Sequence, residues 1–397
     1  MKKTVSAILA CALVLGAVLC GCGKDESKAG SSTPSEVPYQ VTTVNNDLGS
    51  AAVSETAGAS DSGETEARGS ERKTEQGAEQ TSADSGKPEA VSDEQRIVSD
   101  CAGARSFSGV VYAEKDGSEI YSGGDLNSVY HVASVSKQFT AAAVMLLYEE
   151  GKLDIYSPVG NFIPGMTCGN VTIHQLLDMS SGIPDYLTEA IAGVDIGVSP
   201  QQSADQNREA VLKWIKAQNA MFSPGSEFYY CNSNYFLLAE IITRVSGMPY
   251  EQFITKRFLE PLNMTSTGFS ASWSGNGNVI SSENSDDPFN CKGLCSGAAD
   301  MLSTAKDLAK WGRELYEHKI LSGNSVSLMT TGYIGGYGYG LIVGDYTNVF
   351  YHDGNLPPYC STLCVSPERK FVLVLLDCSY DGTVFALRDS ICGEISG

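Results

Sequence analysis

The sequence has little positive charge. Its 397 residues contain 27 Lys and Arg against 47 Asp and Glu, which gives a formal net charge of −20 and a pI of about 4.6. Nucleic acids and anionic lipid surfaces bind proteins largely through basic side chains that neutralise phosphates. The composition therefore argues against nucleic acid and against anionic headgroups as partners.

The sequence also lacks an apolar run long enough to predict a membrane-spanning helix. Residues 4–19 are apolar and uncharged, and they follow the basic pair Lys2 and Lys3. A spanning helix needs about 20 predominantly apolar residues, whereas a shorter run behind a basic start is typical of an export signal. We predict that residues 1–21 are a signal peptide.

The signal ends in Leu19-Cys-Gly-Cys22. This resembles the lipobox of bacterial lipoproteins, in which an aliphatic residue and two small residues precede the lipidated cysteine. Cys22 fits because Gly21 precedes it, whereas Cys20 would put Leu19 at the cleavage position. The resemblance implies an extracytoplasmic protein anchored to the cell membrane by acyl chains on Cys22. A plain secretory signal with incidental cysteines is the alternative.

Aromatic residues are nearly absent from the next segment. Tyr39 is the only one between residues 24 and 96, where fifteen acidic residues stand against seven basic ones. A segment rich in Ser, Glu, Thr and Gly cannot bury enough apolar surface to offset its ordering entropy. We predict that residues 22–97 are the lipidated cysteine and a disordered acidic linker, followed by one domain over 98–397.

Strand and helix patterns in residues 98–397 predict an α/β (α+β) domain. Helices are expected over 136–150, after the capping residue Thr304 and over 382–395, with mixed loops and helices over 151–320. The strand runs are 107–113, 119–123, 337–343, 349–351, 361–365 and 371–376. Strands at both ends around a helical middle predict a central antiparallel sheet, flanked by helices, with an inserted mainly helical subdomain.

The cysteines do not predict a metal site. Nine of the twelve follow Cys22, so at least one is unpaired, and export permits disulfides without requiring them. Cys360 and Cys364 match zinc spacing, as do Cys291 and Cys295. The first pair lies in a predicted strand, where four residues span about 13 Å, too far for two ligands of one metal. We expect no metal and no cofactor.

A serine and a lysine three residues apart begin the predicted buried helix. Ser134-Val-Ser-Lys137 puts a hydroxyl at the positive helix end with an amine in reach to take its proton. The same S-x-x-K spacing occurs at Ser70, in the predicted linker, and at Ser303, where helix capping explains it. Only Ser134 begins a helix that the sequence predicts to be buried.

Two further patterns place polar groups in loops or strands. In Tyr230-Cys-Asn232 a phenol and an amide two residues apart can converge on one cavity, where they relay a proton and orient a substrate. In His352-Asp-Gly354 the glycine permits close approach of a ligand, and the amide of Asn355 can donate to an oxyanion. Taken alone, the tyrosine is equally explained as a packed aromatic and the histidine as a structural residue.

Together these patterns resemble the serine β-lactamase and penicillin-binding protein family, especially its class C-like and D,D-peptidase branch. The resemblance extends from about residue 105 to the C-terminus. The stretches that carry it are His131-Val-Ala-Ser-Val-Ser-Lys-Gln-Phe-Thr140, Thr172-Ile-His-Gln-Leu-Leu-Asp-Met-Ser-Ser-Gly-Ile-Pro-Asp185, Pro224-Gly-Ser-Glu-Phe-Tyr-Tyr-Cys-Asn-Ser-Asn-Tyr235, Tyr337-Gly-Tyr-Gly340 and His352-Asp-Gly354.

The resemblance implies a role for each matching residue. Ser134 would form an acyl-enzyme, with Lys137 and Tyr230 handling its proton. Asn232 would bond both Lys137 and substrate. The amides of Ser134 and Asn355 would form the oxyanion hole.

Two positions depart from the family pattern. Cys231 stands where the family usually has Ser, which we expect to be harmless because the two side chains are similar in size. His352 stands where β-lactamases carry the lysine of K-[TS]-G, so a permanent cation for the β-lactam carboxylate is missing. We expect His352 to bind substrate instead, donating one hydrogen bond to a carboxylate and becoming charged below its pKa.

The departure at His352 favours a D,D-peptidase, a D-amino-acid amidase or an esterase. We expect acyl transfer on a small amide or ester, for example a D-alanyl peptide of the cell wall, so that a small molecule, a peptide or peptidoglycan is the partner. β-Lactam hydrolysis is the first alternative. The second is a wall-binding or sensor protein that keeps the fold without turnover.

The lipid anchor is tested by removing its cysteine. Cys22→Ala should move the protein from the membrane fraction to the soluble fraction, because it removes the cysteine that best fits the lipobox. Activity of the globular domain should not change, since the linker separates it from the anchor. Fractionation followed by immunoblotting measures the partition, and a Cys22→Ala protein that stays fully with the membranes refutes the anchor.

Overall fold

The computed structural model describes residues 91–105, 107–273, 275–280 and 291–397. The predicted signal peptide, Cys22 and most of the predicted linker lie outside these residues. Within the described part of the chain, no helix is both long enough and apolar enough to cross a membrane.

Ten strands and ten α-helices form the described part of the chain. The strands are β1 (Val110–Lys115), β2 (Ser118–Gly123), β3 (Ser128–His131), β4 (Gly268–Phe269), β5 (Asn278–Val279), β6 (Met301–Ser303), β7 (Ile342–Tyr346), β8 (Val349–Leu356), β9 (Tyr359–Ser366) and β10 (Phe371–Asp377). The helices are α1 (Asp93–Arg105), α2 (Ser136–Glu149), α3 (Ile173–Leu177), α4 (Tyr186–Ile191), α5 (Ala204–Lys216), α6 (Asn232–Ser246), α7 (Tyr250–Ile254), α8 (Ala305–Glu317), α9 (Gly323–Met329) and α10 (Thr383–Ser396).

The central sheet joins strands from both ends of the domain. Its order is β2-β1-β10-β9-β8-β7, with every neighbour antiparallel. Asp116 and Gly117, both at positive φ, make the tight turn between β1 and β2. Four short strands, in the order β4-β6-β3-β5, form a second sheet. The predicted α+β architecture, with helices inserted between strands of the central sheet, is confirmed.

Each face of the central sheet packs against helices. Helices α1 and α10 cover one face, where Val98, Leu373 and Ile391 belong to one apolar cluster. The larger core lies on the other face and includes α2 and α8. Helix α2 is buried on all sides over its first twelve residues, as its uniformly apolar sequence predicts.

Two boundaries differ from the sequence-based expectation. Helix α1 begins at Asp93, inside the segment that we expected to be linker. The run 337–343 was expected to be a strand, but β7 begins only at Ile342. The reason is a turn: the amide of Gly338 donates to the carbonyl of Leu341, and Gly340 has a φ of 72°. Tyr337 therefore makes only an isolated bridge to Ile342.

A buried ion pair ties α10 to β8. Arg388, which is 2% exposed, donates from Nη1 to Asp353 Oδ2 at 2.5 Å. Thr362 Oγ1 donates to the other carboxylate oxygen at 2.7 Å, and the guanidinium lies 4.2 Å from the Tyr351 ring centroid. Asp353 is the middle residue of His352-Asp-Gly354, so the carboxylate on the back of this strand is fixed by the last helix.

Removing the arginine should destabilise the fold. Arg388→Met leaves the Asp353 carboxylate without its cation, and losing one partner of a buried pair costs about 3–5 kcal/mol of unfolding free energy. The double variant Arg388→Met with Asp353→Asn should recover about half of that loss, because no unpaired charge remains. Urea unfolding measures both.

Arg96→Met is the matched control, since Arg96 pairs with Asp93 on the surface and should change stability little. Equal destabilisation by Arg388→Met and Arg96→Met would contradict the assignment.

Candidate active site

Ser134 lies on a strained turn at the start of α2. A 3-10 turn, Ala133–Val135, connects β3 to the helix. Ala133 has a φ of 45°, a conformation that costs a non-glycine residue roughly 1–2 kcal/mol. Ser134 is half-buried, whereas its two neighbours are fully buried. The turn therefore presents the serine side chain while hiding the backbone around it.

Lys137 is fully buried one helical turn after Ser134, and its amine makes three polar contacts. Nζ lies 3.1 Å from Ser134 Oγ, 2.8 Å from Asn232 Oδ1 and 2.9 Å from the carbonyl oxygen of Ala298. The amide and carbonyl oxygens can only accept hydrogen bonds, whereas the serine hydroxyl can donate or accept.

This arrangement suits a neutral amine. Burial lowers the pKa of Lys137 to about 7, although the charge of Asp185 raises it in part. A neutral amine has two N–H groups and one lone pair. The two N–H groups can donate to Asn232 and Ala298, which leaves the lone pair for the Ser134 hydroxyl proton. The site can therefore activate the serine near neutral pH.

Asp185 fixes the orientation of Asn232. Its Oδ2 accepts hydrogen bonds from the Asn232 backbone amide at 2.7 Å and from Asn232 Nδ2 at 2.8 Å. Its Oδ1 accepts from Leu187 and Thr188, capping α4. Because Nδ2 is held by Asp185, Oδ1 of Asn232 must face Lys137. Cys231, between Tyr230 and Asn232, is buried and donates to the carbonyl of Ile183 at 3.1 Å.

The Tyr230 ring lies against the lysine amine. Lys137 Nζ is 4.9 Å from the ring centroid. The Tyr230 hydroxyl is buried and has no hydrogen-bond partner among the described residues. Burial raises the pKa of Tyr230, and the nearby Ser134 hydroxyl lowers it in part. The phenol is therefore protonated at neutral pH, and it stands beside both groups between which a proton would move.

His352 differs from the sequence-based expectation. Its Nδ1 lies 2.6 Å from the carbonyl oxygen of Asp353, so Nδ1 carries the proton and donates it. Nε2, 2.9 Å from the Tyr337 hydroxyl, is then the acceptor. Burial and the charge of Lys137 lower the pKa of His352 to about 3. The ring thus has neither a spare N–H for a substrate carboxylate nor a charge at mildly acidic pH. A role of His352 in substrate binding stays a prediction.

Gly354 allows strand β8 to lie close to the segment before Ser134. A Cβ on Gly354 would lie 2.2 Å from both the Val132 carbonyl oxygen and Ser361 Oγ. The glycine therefore lets β8 pack directly on the backbone two residues before Ser134, where we had expected it to admit a ligand. Asn355 follows in β8, opposite Cys360 of β9, and its Oδ1 is buried without a hydrogen-bond partner in the described part of the chain. The oxyanion hole remains a prediction.

Three neighbours of the site were not assigned a role from sequence. Asp185 lies in the Ser-Gly-Ile-Pro-Asp stretch, which was recognised only as part of the family pattern. Tyr337 was expected only as a strand residue, but its hydroxyl forms a hydrogen bond with His352 Nε2. Ala298 supplies a backbone carbonyl, which no side-chain pattern marks. Asp185 and Tyr337 could have been found from the sequence, because both lie in stretches that resemble the family pattern.

Comparison with known proteins identifies the family. The model of the beta-lactamase family matches residues 90–378, and the chain belongs to that family. The family is one of serine hydrolases that act through an acyl-enzyme, and this chain has its fold.

The curated relatives are longer than the matched part of this chain. Protein flp of Staphylococcus aureus strain COL is 27% identical over 270 residues, which cover 62% of this chain and 52% of the relative. Penicillin-binding protein 4* of Bacillus subtilis strain 168 is 36% identical over 141 residues, 36% of this chain and 30% of the relative. The chain thus spans about half, or less, of the curated relatives it matches.

Solved structures share the fold. The octameric penicillin-binding protein homologue from Pyrococcus abyssi aligns with a TM-score of 0.60 and 27% identity, covering 75% of this chain and 76% of that one. The D-amino acid amidase from Ochrobactrum anthropi SV3 aligns with a TM-score of 0.62 and 20% identity, covering 77% and 99%. The second likeness supports the fold only.

Asp185→Asn tests the link between this carboxylate and the lysine. In the wild type, the acidic limb of the kcat/KM profile should lie near pH 7, the pKa of Lys137. The negative charge of Asp185 raises that pKa, so removing it should move the limb to lower pH. Below the limb kcat/KM should fall about tenfold per pH unit, because only the neutral amine accepts the proton. The plateau should also fall by about 10–100-fold, because asparagine cannot hold Asn232 and cap α4 together.

Asp205→Asn is the control, an exposed carboxylate at the first turn of α5 that pairs with Arg208. A purely structural role for Asp185 would lower activity without moving the limb, and that outcome would contradict the electrostatic link.

Proposed function

We propose that the chain hydrolyses a small amide or ester through an acyl-enzyme on Ser134, with a D-alanyl peptide of the cell wall as the substrate class. The observation that carries the proposal is the contact of 3.1 Å between Ser134 Oγ and a buried lysine amine whose pKa is lowered to about 7. A hydroxyl beside a base that is neutral near pH 7 is the arrangement that acyl transfer needs.

In the first step Lys137 takes the proton of Ser134 as Oγ attacks the substrate carbonyl carbon. The resulting oxyanion would be held by the amides of Ser134 and Asn355. The C–N or C–O bond then breaks, and the proton passes from Lys137, through the Tyr230 hydroxyl, to the leaving amine or alcohol. Water hydrolyses the ester to Ser134 by the same route in reverse, which regenerates the serine.

The surroundings of His352 favour this substrate class over β-lactams. Its ring is neutral and both nitrogens are occupied, so this strand offers no cation to a β-lactam carboxylate at neutral pH. The neighbours of similar fold include proteins described as D-amino acid amidase and D-stereospecific amidohydrolase.

The proposed setting is the outer side of the cell membrane. The sequence pattern at Cys22 supports a lipid anchor, and the acidic segment behind it supports a tether. A peptide of the wall is the amide substrate that such a position would offer. Peptidoglycan is therefore the proposed partner.

Ser134→Ala tests the nucleophile and the substrate class in one set of measurements. The wild-type protein should give a mass adduct with a labelled penicillin and release it slowly, and it should turn over an acyl-D-alanyl-D-alanine peptide, a D-amino acid amide or a small ester. Ser134→Ala should give no adduct and should lose turnover by about 10³-fold or more, with the fold unchanged by circular dichroism.

Ser303→Ala is the matched control, because Ser303 heads the other S-x-x-K of the folded domain but is buried in β6 against Thr267. It should label as the wild type does. An adduct that survives in Ser134→Ala rejects the nucleophile, and rapid release of penicillin with no amide or ester turnover rejects the substrate class.

A further inference from the structure

Two buried cysteines meet between the central sheet and the last helix. Cys364 lies in the middle of β9, and Cys392 lies in α10. Their sulfur atoms are 3.1 Å apart, and neither side chain is more than 1% exposed. Both belong to the apolar cluster on the α10 face of the sheet. The contact joins residues 28 positions apart in the chain.

The two thiols are placed for a covalent bond. A disulfide has its sulfurs about 2.0 Å apart, so the pair would close by only about 1 Å, which small side-chain rotations supply. Three of the other cysteines have different surroundings: Cys168 and Cys231 bond backbone carbonyls, and Cys378 is exposed.

We infer that Cys364 and Cys392 form a disulfide that fastens α10 to β9, behind the strand that carries His352. The bond would form by exchange with a disulfide donor, such as a thiol oxidoreductase or oxidised glutathione. The thiolate of one cysteine attacks the donor and releases one donor thiol. The second thiolate then attacks the mixed disulfide and releases the other thiol. Two electrons and two protons leave the pair, and the donor disulfide is reduced to two thiols.

The position of the pair gives the bond a structural role. Cys392 is one helical turn after Arg388, so the two side chains lie on the same face of α10. Arg388 holds Asp353, and Cys364 lies opposite Tyr351 in the strand register. The disulfide would therefore fix the helix face that supports the back of the His352-Asp-Gly354 segment.

Burial determines when the bond can form and break. Contact with Cys364 and burial both raise the pKa of the Cys392 thiol, so the thiolate that exchange requires is scarce in the folded state. The bond should form before α10 has packed on the sheet. Once formed, it should resist reduction until the helix opens.

Peptide mapping of the full chain tests the bond directly. The protein is refolded from urea in oxidised and reduced glutathione, alkylated in denaturant and digested with trypsin, which cuts after Arg369 and Arg388. We expect the peptide that contains Cys364 to be joined to the peptide that contains Cys392, and fragmentation should assign Cys364 rather than Cys360. Full alkylation of both cysteines, or a bond from either one to another cysteine, would overturn the inference.

Thermal unfolding provides the second readout. Wild-type protein that is reduced in denaturant and refolded should have a thermal unfolding midpoint about 5 °C or more below that of the oxidised protein. The reason is that reduction opens a loop of 28 residues. Cys392→Ala should show no such difference between oxidised and reduced samples, whereas the control Cys378→Ala should keep it. A difference that persists in Cys392→Ala would place the redox effect elsewhere and overturn the inference.

Discussion

The site depends on one buried amine. Lys137 is removed from water by α2, α6 and the chain before β6, and its amine contacts an amide oxygen, a carbonyl oxygen and the Ser134 hydroxyl. A charged lysine in such surroundings is costly, so its pKa falls towards 7. Donation of two N–H groups to Asn232 and Ala298 leaves the lone pair of the neutral amine for the serine. The placement of Asn232 and the Ala298 carbonyl follows from the need to satisfy the two N–H groups.

Contacts around the site fix the positions of Lys137 and its partners. Asp185 fixes Asn232 by two hydrogen bonds while capping α4, so one carboxylate sets both a helix start and an amide orientation. Glycines let the backbone close around the lysine: a Cβ on Gly340 would lie 2.7 Å from the carbonyl oxygen of Lys137. On the far side of the sheet, Arg388 holds the strand that carries His352. Each support is a close contact that allows little displacement of the reacting groups.

Local patterns in the sequence predicted the elements but not all the contacts between them. The apolar run of α2, the Asp116-Gly117 turn and the Thr304 cap are short-range signals, and the structure confirms them. The turn at Gly338 was missed because aromatic residues around it favoured a strand. The environment of His352 depends on Tyr337, fifteen residues away, and on burial by the assembled sheet. A substrate-binding role had been expected from the residue type, which cannot show that both ring nitrogens are occupied.

The protonation state of Lys137 at neutral pH is the central claim. It is measured directly by a carbon–proton NMR titration of the full chain labelled with ¹³C at lysine Cε, from pH 5 to about 11. One lysine resonance should titrate near pH 7, well below the usual value of about 10.4, and it should be missing from the spectrum of Lys137→Met. If every lysine of the folded protein titrates near the usual value, the buried amine is charged at neutral pH and cannot accept the serine proton as described.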